Sequence, residues 1–113
     1  IGPYSPAVRV GNFLFVSGQI GLDQNTGQLK SEAIEAETHQ ALINMNTIIH
    51  SEGYDSSHVV SATVYLKNMN DYAKMNTVYG AFFREGDYPA RTTVAVSELP
   101  KQANIEITVI AYK

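Results

Sequence analysis

The chain has 113 residues, a net charge of −3 and no cysteine. That length fits one domain, and the missing thiols exclude disulfides, thiolate zinc sites and cysteine nucleophiles. The eight Lys and Arg are scattered along the chain, which leaves no basic stripe to neutralise nucleic-acid phosphates, and no apolar run approaches the ~20 residues of a membrane span.

About two-thirds of the unfolded surface can be buried at this size, enough for one core without covalent staples. The sequence starts at Ile1 rather than Met, so a short preceding segment is expected, and any targeting signal would lie there. The absence of cysteine suits a reducing, cytoplasmic compartment, while a mitochondrial location stays open.

In chain order, "AVRVGNFLFVS" (7–17) reads as two short strands around the tight-turn dipeptide Gly11-Asn12. A polar turn at Asn25-Thr26-Gly27 follows, between two extended pieces. From Ser31 the period changes: Ile34, Thr38, Ala41, Leu42, Met45, Ile48 and Ile49 fall at steps of three and four, one face of an amphipathic helix. Ser31 is the expected N-cap and Gly53 the C-terminal stop. "VVSATVYLK" (59–67) alternates, with Val60, Ala62, Val64 and Leu66 on one face and Ser61, Thr63 and Tyr65 on the other.

Asn70 or Asp71 is expected to cap a second helix with the stripe Tyr72, Met75, Val78, Tyr79, Phe82 and Phe83, ended by Gly86 and Pro89. Strands at about 91–97 and 104–112 close the chain, the first with the β-branched composition of a buried strand. This order has too few crossovers for a doubly wound sheet. It predicts a single α+β domain over 1–113, with two helices on one face of a mixed sheet.

Two charges stand out. Arg91 opens a strand in "YPARTTVAV", on one face with Thr93 and Ala95. Glu106 sits mid-strand in "NIEITVIAY", between two isoleucines. An isolated buried ion is very costly, so each should have a partner or a polar cavity. One reading is a structural Arg–Glu ion pair or edge charges facing water; the other is a functional site.

Tyr4 is held between two prolines in "IGPYSP", and could simply pack. Ser17-Gly18 marks a bulge or a close backbone approach. Asn76 lies beside the second helical stripe. His39, His50 and His58 lack metal-ligand spacing, and "SGQIG" lacks the third glycine and the lysine of a phosphate loop.

Together "IGPYSPAV", "LFVSGQIGLD", "VYLKNMNDYAKMNTVYGAFF", "YPARTTVAVSELP" and "IEITVIAY" resemble the Rid family, the reactive intermediate deaminases also called the YjgF family, over residues 1–112. The resemblance implies a chorismate-mutase-like α+β domain that forms homotrimers with clefts between subunits. It also implies hydrolysis of 2-imino acids (2-iminobutanoate, 2-iminopropanoate), released by PLP-dependent dehydratases, to 2-keto acids and ammonia.

By that resemblance Arg91 grips the substrate carboxylate and Glu106 holds the attacking water, while Tyr4, Ser17, Gly18 and Asn76 line the cleft. Thr93 also lies there, where many relatives carry cysteine, so a thiol is not expected to be needed. A planar guanidinium suits a carboxylate, a second carboxylate can take water's proton, and the imine is reactive enough that neither metal nor organic cofactor is expected. The alternatives are an endoribonuclease or translation inhibitor, which the acidic balance disfavours, and a non-catalytic trimer that binds keto acids in the same cleft.

Overall fold

The computed structural model describes residues 2–113. Its elements run β1 (Ala7–Val10), β2 (Phe13–Ile20), α1 (Ile34–Ser51), β3 (Val59–Leu66), α2 (Tyr72–Phe82), β4 (Ala90–Ala95) and β5 (Ile105–Tyr112). The strands form one mixed sheet in the order β1-β2-β5-β3-β4. β5 sits at its centre, antiparallel to both β2 and β3. β4 is an edge strand, parallel to β3. The expected α+β architecture, with both helices on one face, is the one observed.

Period-two alternation makes β5 two-sided: Ile105, Ile107 and Val109 are buried, and the residues between them are half-buried. With Leu14 of β2 and Val64 of β3 they pack against Leu42, Met45 and Ile49 of α1 and Met75 of α2. Each such side chain contributes roughly 1.5–3 kcal/mol by leaving water. Among the described residues no element covers the other sheet face. There Val8, Val10, Phe13, Phe15 and Tyr112 all stand exposed.

Several local expectations change. The cap of α1 is Ala33, which makes no side-chain hydrogen bond, so Ser31 is not the N-cap. Gly53 does end α1: at φ 85° its N–H donates to His50 O while Tyr54 N–H donates to Ile49 O, the paired pattern of a left-handed helix stop. Asn70 and Asp71 do not cap α2 with their side chains. The acceptor is Asn68, whose Oδ1 takes the Asn70 N–H and opens a short 3₁₀ turn over 69–71 that leads into the helix.

α2 stops at Phe82, four residues before Gly86, which serves a separate turn closed by the Asp87 N–H on Arg84 O. In β3 the register slips between Val59 and Ser61. This bulge turns Val60 out to solvent and puts Val59 in the core in its place. β4, expected inside, carries Thr92 and Val94 exposed on the uncovered face, in register with Thr63 and Tyr65, and Ala95 exposed at its end.

Candidate functional site

Arg91 pairs across the sheet with Ala62, a core residue, so its side chain lies on the helix-covered face. It extends along α2. Nη1 donates to Asn76 Oδ1 at 2.7 Å, and Nη2 to the Tyr72 hydroxyl at 2.8 Å. The guanidinium carbon stands 4.7 Å from the centre of the Tyr79 ring and 5.6 Å from that of Tyr72, within cation–π range. The helix makes this possible: residues 72, 76 and 79 recur at steps of four and three on one face.

The surrounding cavity, about 320 Å³, is lined by Asn76, Tyr79, Gly80, Tyr88, Pro89 and Arg91. Among the described residues no carboxylate pairs with Arg91. Burial pushes the Tyr79 phenol up to about 12, against the opposing pull of Arg91, so it stays neutral. Two neutral acceptors and two ring faces hold the guanidinium, and three of its five N–H donors have no acceptor among the described residues.

A second cavity of about 380 Å³ contains Tyr4, Gly18, Ile20, Asn44, Lys101 and Glu106. Burial raises the Glu106 carboxyl above the usual glutamate range. Gly18 is the reason this carboxylate fits. The β2 register slips between Val16 and Gln19, and a Cβ at position 18 would collide with the Glu106 carboxylate. The bulge and the close approach are therefore one feature.

Ser17 stands beside it. Its Oγ donates to Ser5 O at 2.6 Å and its N–H to Pro6 O at 2.9 Å, pinning the segment that carries Tyr4 onto β2. Thr93 shares the face of Arg91, with a buried Oγ1 that has no hydrogen-bond partner.

The predicted residues thus gather into two groups, Arg91, Asn76 and Thr93 in one and Tyr4, Ser17, Gly18 and Glu106 in the other. The groups lie on opposite faces of the sheet. Glu106 alternates with core isoleucines and pairs with Tyr65, so it points to the uncovered side. Within one chain an Arg91–Glu106 ion pair is ruled out by this parity.

Four relevant residues escaped the sequence reading. Tyr72 was counted into the apolar stripe, yet it is turned out of the core toward Arg91. Tyr88 walls the Arg91 cavity. Asn44, buried, donates to Ile20 O and Leu22 O and so fixes the chain beside Glu106. Glu37, fully buried, accepts from the N–H and Nδ2 of Asn104, at the start of β5. The three histidines form no metal-binding group with carboxylates among the described residues.

Fold and cavities define an α+β domain with a guanidinium at one cavity and, at another, a carboxyl raised by burial. The sequence profile described as Endoribonuclease L-PSP matches residues 1–113. A RutC family protein of Pyrococcus horikoshii is 51% identical over 113 residues, covering 100% of this chain and 89% of its own. A human 2-iminobutanoate/2-iminopropanoate deaminase is 43% identical over 111 residues, covering 98% and 80%. The solved YjgF gene product of E. coli superposes with a TM-score of 0.94 at 39% identity, over 100% of this chain and 90% of that one. The chain belongs to this family, the Rid or YjgF proteins.

Proposed function

We propose that this protein hydrolyses short 2-imino acids, 2-iminobutanoate and 2-iminopropanoate, to 2-keto acids and ammonia, as a homotrimer whose clefts join two chains. The observation that carries the reading is Arg91, a guanidinium fixed by Asn76 and Tyr72 with no carboxylate partner among the described residues. The name of the human relative agrees with it.

In this mechanism Arg91 binds the substrate carboxylate, and the imine carbon lies one bond away, so fixing the first fixes the second. Glu106 orients a water and takes its proton as the oxygen adds to that carbon. Glu106 passes that proton to the nitrogen, giving the carbinolamine. The carbinolamine hydroxyl then yields a second proton to the nitrogen as the C=O forms, the C–N bond breaks and ammonia leaves. Burial of Glu106 supports the role of base, since a raised carboxyl holds the abstracted proton better. Because Arg91 and Glu106 occupy opposite faces, one molecule of substrate meets both only where two chains adjoin. The uncovered apolar face offers the surface for that contact.

The test is a coupled assay in which threonine dehydratase releases the imine and 2-ketobutyrate formation is followed with and without the protein. Acceleration is expected. Arg91→Lys should lower kcat/KM by about one to two decades, because lysine loses the parallel second hydrogen bond while keeping the charge. Full activity in that variant would remove the assigned role. The family description favours a second reading, an endoribonuclease. RNA cleavage with a steep salt dependence, and no effect on imine lifetime, would replace the first reading with it.

A further inference from the structure

The hydrogen bonds around Arg91 have a direction. Arg91 Nη2 donates to the Tyr72 oxygen and Nη1 to Asn76 Oδ1. A phenol oxygen that accepts from a cation keeps its own O–H, and that proton has no acceptor among the described residues. Asn76, with Oδ1 committed to the guanidinium, turns its Nδ2 amide away with its N–H donors likewise unspent. The remaining Arg91 N–H groups complete the set. Arg91 and Asn76 line the cavity, Tyr72 bonds to Arg91 from outside that lining, and what the three have left to offer is donors.

Tyr72 is the first residue of α2 and 39% exposed, so packing does not explain its orientation. Its ring sits within cation–π range of Arg91, a contact that phenylalanine would reproduce. The hydroxyl is the part left to account for. An arginine fork gives a carboxylate two in-plane hydrogen bonds, and each carboxylate oxygen has a further lone pair to offer a third donor.

We propose that Tyr72 is a carboxylate-binding residue, whose O–H donates to the substrate carboxylate held by Arg91. The first turn of α2 then supplies a third hydrogen bond to the same anion. Because hydrogen bonds in a chain polarise one another, the phenol donates more strongly while Arg91 donates to it. The inference rests on Arg91 being the carboxylate grip, and the experiment separates the two.

Binding of 2-ketobutyrate is measured by calorimetry for the wild type, Tyr72→Phe, Arg91→Lys and a chain with 3-fluorotyrosine installed at position 72. The pH is kept mildly acidic so that the fluorinated phenol retains its proton. Tyr72→Phe should weaken binding on the order of tenfold, the effect of losing one hydrogen bond to a charged group, with the thermal melt unchanged. Fluorine makes a phenol a better donor and a poorer acceptor, so the fluorotyrosine chain should bind more tightly.

A phenol that merely props Arg91 as an acceptor would give weaker binding on fluorination. That result, or wild-type affinity in Tyr72→Phe, overturns the proposal. If Arg91→Lys still loses affinity, the arginine grip survives that failure. No binding by the wild type, or full binding by Arg91→Lys, overturns both.

Discussion

At the scale of single residues, Glu106 and Gly18 act as one unit. Glu106→Gln keeps the shape but removes the basicity, so turnover should fall by roughly 10²–10⁴ while 2-ketobutyrate binding persists. Stability should move the other way. Burial raises the folded-state pKa of Glu106 above its unfolded value, so the folded chain holds this proton more tightly. As pH rises from the ordinary glutamate range toward the raised value, the unfolded chain deprotonates first and stability declines. Above the raised value the loss is complete. Glu106→Gln should therefore melt no lower than wild type at neutral pH, and the difference should vanish in acid; a lower melt at neutral pH would contradict the burial argument. Gly18→Ala drives a methyl into the carboxylate. A folded protein with turnover reduced toward that of Glu106→Gln is expected by steady-state kinetics.

Among the elements, the ones that the sequence revealed are those built from near neighbours. Turn dipeptide, β-branched composition, alternation and helical steps of three and four together placed the five strands and both helices, because all of these signals are local. The dipolar ends were less legible: Ser31 and Asp71 have capping chemistry, but the chain enters α1 through Ala33 and α2 through a 3₁₀ turn set by Asn68. β4 looked buried because its composition is that of an interior strand; its place at the sheet edge, with Thr92 and Val94 on the uncovered face, exposes it.

The supports of the site were hidden for a related reason. Asn44 bonds to backbone carbonyls more than twenty positions away, and Glu37 to Asn104, 67 positions away. No spacing rule reports such contacts. Asn44→Ala should cost about 1–3 kcal/mol, since two part-buried carbonyls lose their donor, and urea unfolding measures it. A loss near zero would mean that water replaces the amide.

For the whole molecule, the uncovered sheet face is where the proposed assembly can be tested. Phe15 lies between Val8 and Ile110 on that face and is 44% exposed. Phe15→Glu leaves the helix-side core untouched, so it should fold, run as a monomer in light scattering and lack imine hydrolysis. A trimer of this variant would dismiss the face as the contact. Arg91 and Glu106 were legible in the sequence as candidate site residues, but their parity across five paired strands was not. That parity has a direct test. Refolding Arg91→Lys and Glu106→Gln chains together in equal amounts should restore about a quarter of the sites, those that take Arg91 from one chain and Glu106 from its neighbour. No recovery would place both residues' partners within one chain.

The same parity decides how gene dosage would act. If each cleft draws its two charges from different chains, a chain lacking only one of them disables only the clefts to which it owes that charge, and activity falls in proportion to its share of the pool. A chain lacking both spoils the clefts on either side of it. Co-expressed with the wild type, such a double variant would reduce activity as the square of the wild-type fraction. Dominance would then be a matter of counting chains, with no change in the chemistry of any intact cleft.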